Sequence, residues 1–160
     1  MKEKKLGKRG ITLIELLTVI VLIGIIAAMA VPNFTNAVIK IRHKSAARDL
    51  LGKIRMARSY AISRGVRYGV YMNTVEKYYI TFRDVNSDGN YVAGTDSVKD
   101  STSLDANLSF GACTFANNAV VFKNDGSTSE SDSVEIINDK NSQKIKVHVT
   151  GAVGRAWLSQ

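Results

Sequence analysis

The sequence contains one cysteine, one proline, one tryptophan and two histidines among its 160 residues. The single cysteine, Cys113, excludes an intrachain disulfide. The two histidines, His43 and His148, have no zinc-ligand spacing, and neither a nucleophile–base motif nor a phosphate-binding glycine loop accompanies them. We expect His43 to be a solvated helix residue and His148 to lie on a strand face. These absences argue against an enzyme.

What the sequence does have is one long apolar run with a single charge in it. Residues 11–31 contain only Glu15 as a charged residue, and as a helix they would span about 31 Å, enough to cross a bilayer core. A carboxylate inside a membrane helix costs about 2.5–3.5 kcal/mol on insertion scales, so we expect it to have a partner. If the chain were cut after Gly10, Ile11 would carry a free amine four residues before Glu15, on the same helical face. This amine could pair with the Glu15 carboxylate of its own chain or with that of a neighbouring chain.

The flanks of this run orient the chain. Residues 1–10 carry five basic side chains and one acidic one, so the positive-inside rule places the N-terminus in the cytoplasm and the remainder outside. An ordinary secretory signal cut after Ala30 is the alternative, because residues 28–30 form an A-x-A-like site. The length of the run, the charge inside it and Pro32 just past that cut disfavour it. An unprocessed signal anchor is a further alternative.

Beyond the run, apolar residues continue at helical spacing and predict one long helix from Thr12 to Ser63, kinked at Pro32. From Val66 the apolar period becomes two, which predicts antiparallel strands. Residues 84–107 and 125–133 are polar and predict loops. The layout is α+β, a long N-terminal helix packed on a C-terminal antiparallel β domain. The predicted strands are 66–72, 78–83, 108–110, 119–122, 134–137 and 144–149.

The charge of the chain is unevenly distributed. The formal net charge is +8, and residues 40–67 alone carry nine basic side chains against Asp49, whereas residues 68–160 have a net charge of −3. A basic helix can indicate phosphate binding. We favour a solvated or subunit-facing helix surface, because charged outer faces are the default for such helices.

One acidic segment has the opening spacing of a calcium loop. Asp84, Asn86 and Asp88 alternate and are followed by Gly89, as in a loop with oxygen ligands at alternating positions and glycine at the sixth. The twelfth position is Thr95, so the bidentate glutamate is missing. The same residues also suit a turn between strands, and we favour that interpretation over a Ca²⁺ site.

Taken together, these motifs resemble a known family. The basic leader, Gly10, the apolar residue after it and Glu15 resemble the class III signal of type IV pilins and type II secretion pseudopilins. Further likeness follows in order along the chain, at residues 51–71, the acidic loop 84–89, the strand 145–149 and Gly154-Arg155. On this basis the chain is identified as a member of the GspH/FimT family, with a pilin-like fold.

The resemblance implies a set of functional expectations. A prepilin peptidase would cut between Gly10 and Ile11 and methylate the amine of Ile11, and Glu15 would act in assembly. The expected parts are a leader at 1–10, a long helix at 11–64 with a transmembrane segment at 11–31, and a globular β domain at 65–160. The expected role is a non-enzymatic subunit that initiates or caps a type IV pilus or a type II secretion pseudopilus. Its partners would be other pilin or pseudopilin subunits, an inner-membrane assembly platform and the lipid bilayer, with the globular domain in the periplasm.

A DNA receptor for natural transformation is the alternative function. Lys144, Lys146 and His148 share one face of a predicted strand, and Arg155 and Trp157 follow, so that phosphate contacts and base stacking are conceivable. Some DNA-uptake members of the family place a second arginine where this sequence has Trp157. We therefore favour an edge strand protected by lysines and a tryptophan packed on the core.

Overall fold

The computed structural model describes residues 11–129 and 131–159, and it describes residues 29–34 by their backbone alone. Helix α1 spans Leu13–Arg64. The helix predicted from Thr12 to Ser63 is confirmed to within one residue at each end. The predicted kink depends on Pro32, whose side chain lies outside the described set, and it stays a prediction.

Strands fill most of the chain after α1 and form two antiparallel sheets. The first sheet has the order β3-β2-β1-β5 and the second has the order β4-β6-β7-β8. This α+β architecture is the one that the sequence predicts. The strands within the described residues are β1 Tyr68–Asn73, β2 Tyr78–Arg83, β3 Ser97–Ser103, β4 Leu108–Cys113, β5 Ala119–Phe122, β6 Asp132–Asn138, β7 Lys144–Thr150 and β8 Arg155–Ser159.

The chain divides into two compact units, of which the first ends at Val38 and the second begins at Ile39. In the second unit, one face of α1 packs into a core shared by both sheets. The spacing of the buried helix residues follows the helical period, which is why a continuous stripe is available for burial. The buried residues on this face are Ile39, His43, Ala47, Leu50, Leu51, Ile54, Ala57 and Ala61.

Two strands were not predicted. The segment of β3 reads Ser-Val-Lys-Asp-Ser-Thr-Ser, which lacks apolar alternation because it forms an edge strand with mostly exposed side chains. It lies inside the predicted loop 84–107. The other missed strand, β8, pairs with β7. The expectation that residues 144–149 form an edge strand is therefore wrong.

The expectation for His43 is also wrong. Its side chain is buried, with 2 % of its surface exposed, and its Nε2 lies 2.8 Å from the carbonyl oxygen of Ile136 on β6. The reason is helical spacing, since His43 follows Ile39 by four residues and precedes Ala47 by four, both on the buried face.

Candidate functional site

The N-terminal end of α1 holds the residues expected to act in processing and assembly. Gly10 lies outside the described residues. Ile11 is 79 % exposed. The Glu15 carboxylate oxygen Oε2 accepts hydrogen bonds from the Thr12 backbone N–H at 3.1 Å and from the Thr12 hydroxyl at 3.0 Å. The Glu15 N–H donates in return to the Thr12 hydroxyl at 3.3 Å, so the two residues form a capping box.

This capping box was missed by the sequence analysis, although the spacing Thr-x-x-Glu before an apolar run is its signature. It gives Glu15 a local role at the start of the helix. It occupies Oε2, while Oε1 makes no hydrogen bond to any other described residue. The carboxylate is therefore held beside the backbone of residue 12 with one oxygen open to a further donor.

The helix that follows is apolar on all sides and exposed. A helix with this distribution needs an apolar environment, since large exposed apolar patches mark membrane or protein contacts. The large apolar side chains between 51 % and 83 % exposed are Ile11, Leu13, Ile14, Leu16, Leu17, Val19, Ile20, Val21, Leu22, Ile23, Ile25 and Ile26.

The predicted transmembrane segment, residues 11–31, ends on residues whose side chains lie outside the described set, and it stays a prediction. In the described part of the chain, no helix has both the length and the apolarity needed to cross a membrane.

The acidic loop brings its three predicted residues close together, and most of their polar atoms are engaged within the loop, whereas Asp84 Oδ1 is buried without a hydrogen-bond partner among the described residues. Asp84 is buried, its Oδ2 accepts the Gly89 N–H at 3.1 Å, and the Arg67 guanidinium lies 3.9 Å away. The Asn86 amide donates to the Asp88 carboxylate at 2.8 Å. These contacts are those of an Asx-type turn.

A third carboxylate, that of Asp96, closes this loop. It accepts the backbone N–H groups of Val85 at 2.9 Å and Val92 at 2.7 Å, so it too is used to hold the backbone. Within residues 11–129 and 131–159, no cluster of three or more histidine, cysteine, aspartate or glutamate side chains is placed to hold a metal ion. Calcium binding by this loop stays a prediction.

The lysines of the proposed DNA surface are paired with a carboxylate. The Glu135 carboxylate on β6 forms ion pairs with Lys144 at 2.9 Å and with Lys146 at 3.0 Å, and Lys146 is its direct cross-strand neighbour. The two lysine ammonium groups lower the pKa of Glu135 to about 2. The three residues thus form a cluster with a net charge of +1 instead of the +2 that the two lysines would give alone.

Next to this cluster, Trp157 lies on the outer face of the second sheet. Its ring stacks on the His148 ring with centroids 5.2 Å apart, and it is 41 % exposed. The expectation that it packs on the core is wrong, because its neighbour Ala156 takes the inward position on β8. His148 lies on a strand face as predicted, and its Nε2 is 2.7 Å from the Ser159 hydroxyl. Arg155 is exposed.

Several basic residues of α1 are tied to the β domain and are not simply solvated. Arg42 pairs with Asp105 at 2.6 Å, and Lys53 pairs with Asp100. Lys53 is half-buried. The pKa of Asp105 is lowered to about 2, chiefly by the backbone N–H and side chain of Asn107 and then by Arg42.

Two further arginines fasten the C-terminal segment to α1. Arg55 donates to the carbonyl of Ala156 at 2.8 Å, and Arg58 donates through Nε to the carbonyl of Gly126 at 3.0 Å. Gly154 packs directly against this second contact, and a Cβ added to it would lie 2.0 Å from the Gly126 oxygen. Gly154 is therefore a close-packed residue between the Gly126 turn and Arg58 of α1.

Comparisons with known proteins agree with this architecture. A model of the prokaryotic N-terminal methylation motif matches residues 5–31. The minor pseudopilin EpsH from the type 2 secretion system of Vibrio cholerae superposes with a TM-score of 0.57 at 14 % identity, covering 74 % of this chain and 96 % of its own. The type IV minor pilin FimU of Pseudomonas aeruginosa gives a TM-score of 0.59 at 17 % identity, and the match covers 76 % of this chain and 90 % of FimU.

These two likenesses concern the fold, because the identities are low. No curated protein matches the chain. The family model described as Type II transport protein GspH matches residues 46–152, which is more than half of the sequence. Together with the methylation motif, this match establishes that the chain belongs to the GspH family of type II transport proteins.

Proposed function

We propose that the chain is a non-enzymatic minor subunit that a prepilin peptidase cuts between Gly10 and Ile11 and methylates on Ile11. Before assembly, the helix from Ile11 would be held in the bacterial inner membrane, with the N-terminus in the cytoplasm and the globular unit in the periplasm. The observation that supports this proposal is a helical segment that is apolar on all sides, exposes its large side chains by 51–83 % in the single chain, and has Glu15 in its first turn as its one charged residue before Val31.

Glu15 is proposed to be the assembly contact. Its Oε2 is engaged by Thr12 of the same chain, which leaves Oε1 for the N-terminal amine of a neighbouring subunit. In an apolar bundle of packed helices, this pairing would neutralise a charge that is otherwise expensive. It would also fix the axial register of one subunit against the next, as single polar contacts do in helical assemblies.

The proposed partners are other pilin or pseudopilin subunits, the prepilin peptidase and an inner-membrane assembly platform. A minor subunit of this type would start or cap the filament. The similar structures include a type 2 secretion pseudopilin and a type IV minor pilin, so the proposal covers both machines. Identification of the subunits that co-purify with the chain would assign it to one of them.

Three substitutions at one helix end test the role of Glu15. Glu15→Ala removes both the cap and the charge, Glu15→Gln keeps an oxygen for Thr12 but removes the charge, and Thr12→Val removes the side-chain half of the cap but keeps the charge. If the carboxylate pairs with a neighbouring amine, the two Glu15 variants should reach the membrane but fail to enter filaments, whereas Thr12→Val should still enter. Normal incorporation of Glu15→Gln would refute the charge pairing.

The DNA receptor is not supported over this function. Lys144 and Lys146 are paired with Glu135. One face of the Trp157 ring is already stacked on His148. Arg155 then remains as an exposed cation on this surface, and stable nucleic-acid binding usually needs several phosphate contacts.

A further inference from the structure

A basic cavity lies at the start of the second compact unit. It has a volume of about 330 Å³ and lies between the first helical turns of that unit and the beginning of β7. Its floor includes the buried His43, whose Nε2 is engaged by the carbonyl of Ile136. The lining residues are Lys40, His43, Lys44, Gln143, Lys144 and Ile145.

Two of its three lysines carry uncompensated charge. Lys144 is paired with Glu135 at 2.9 Å. Lys40 and Lys44, by contrast, have no ion pair or hydrogen bond to any described residue, whereas four of the five basic residues further along α1 have one. They lie one helical turn apart on the same side of the helix, so both ammonium groups can approach one anion. The cavity thus combines two free cations with the amide of Gln143.

The position of these lysines in the chain points to the membrane surface. Lys40 follows Val31, the last residue of the apolar run, by only nine residues in the sequence. A lysine can keep its apolar stem near lipid while its ammonium group lies among the headgroups, so lysines close in sequence to a membrane segment suit the membrane surface. Ile41, between them in sequence, is 68 % exposed and apolar, as suits a residue near lipid.

We propose that this cavity binds the phosphate of an anionic phospholipid headgroup, with Lys40 and Lys44 as its principal contacts. This inference rests on the proposed membrane-held state of the subunit. Lipid phosphate is the anion that a chain anchored through residues 11–31 would meet continuously, and basic residues next to a membrane segment are drawn to anionic lipids. The lipid would hold the globular unit at the bilayer until the subunit is extracted into a filament.

The test is native mass spectrometry of the full-length chain in neutral detergent micelles that contain equal amounts of phosphatidylglycerol and phosphatidylcholine. The measured quantity is the ratio of the two lipids retained. Each basic residue near an anionic membrane surface contributes about fivefold in affinity, so Lys40→Gln with Lys44→Gln should lower this ratio by about 25-fold. The matched control is Arg48→Gln with Lys99→Gln, which removes the same charge from exposed positions outside the cavity and should leave the ratio within about twofold.

Three results would overturn the proposal. Equal losses in the cavity variant and in the control would show that only net charge matters. A wild-type chain with no preference for phosphatidylglycerol would refute the site directly. Displacement of the lipid by millimolar inorganic phosphate at constant ionic strength would assign the cavity to the free ion.

Membrane fractionation separates these failures from a failure of the proposed function. A chain that resists carbonate extraction but shows no lipid preference refutes only the headgroup site. A chain that does not enter the membrane fraction refutes the proposed membrane-held subunit, and the lipid site with it.

Discussion

Gly154 is the position where one added methyl group should most disturb the globular unit. It has a φ of +60°, and its Cβ in Gly154→Ala would lie 2.0 Å from the Gly126 oxygen and 2.9 Å from Arg58 Nε. An alanine in this left-handed conformation costs about 1–2 kcal/mol. Moving the carbonyl away would also break its hydrogen bond to Arg58, and bonds to charged groups contribute about 1.5–3 kcal/mol. The expected loss of unfolding free energy is therefore about 2.5–5 kcal/mol.

Gly65→Ala is the matched control. Gly65 has a φ of +65°, close to that of Gly154, but no heavy atom lies within 4 Å of its added Cβ. It should therefore lose only the backbone contribution of about 1–2 kcal/mol. Urea unfolding of residues 36–160, followed by Trp157 fluorescence and circular dichroism, measures both losses. If the two variants differ by less than about 1 kcal/mol, the close approach of Gly154 to the Arg58 contact does not contribute as argued.

Four further predictions concern processing, folding, acid stability and calcium. Mass spectrometry of the mature protein should find a methylated N-terminus at Ile11, and an N-terminus at Val31 would contradict the processing proposal. A fragment starting at Asn36 should fold as a monomer, because the core lies in the second unit; sedimentation and circular dichroism test this. The pKa of Glu135 is about 2 when folded against a usual 4.5, so its ion pairs stabilise the protein above about pH 4.5 and this contribution is lost as the pH falls toward 2. Glu135→Gln should remove about 1 kcal/mol of this pH-dependent stability, a small contribution because solvent screens the two lysines, which are about half-exposed. If the unfolding free energy of Glu135→Gln, measured in urea, depends on pH as that of the unchanged protein does, the ion pairs do not contribute as argued. Because Asp84 Oδ2, both oxygens of Asp96 and the Asp88 carboxylate already accept hydrogen bonds within the loop, calcium and chelator should give the same melting temperature, and a rise of several degrees with calcium would support the metal site.

The sequence anticipated the features that depend on local pattern. Helical periodicity from Thr12 onward predicted α1, and alternation predicted the paired central strands, because burial on one face imposes a regular spacing. The same periodicity could have placed His43 on the buried face, since it is four residues from both Ile39 and Ala47. The capping box of Thr12 and Glu15 was equally readable.

Other features depend on residues that are distant in sequence, and only the tertiary structure decided them. Edge strand β3 has no apolar alternation and exists because β2 supplies its hydrogen bonds. The register of β6 on β7 places Glu135 opposite Lys146, which lowers the net positive charge of a surface that looked more basic in sequence. The gathering of Lys40, Lys44 and Lys144 around one cavity has the same origin. Sequence alone established the family signal and the local elements, whereas the free or paired state of each charge was fixed by long-range packing.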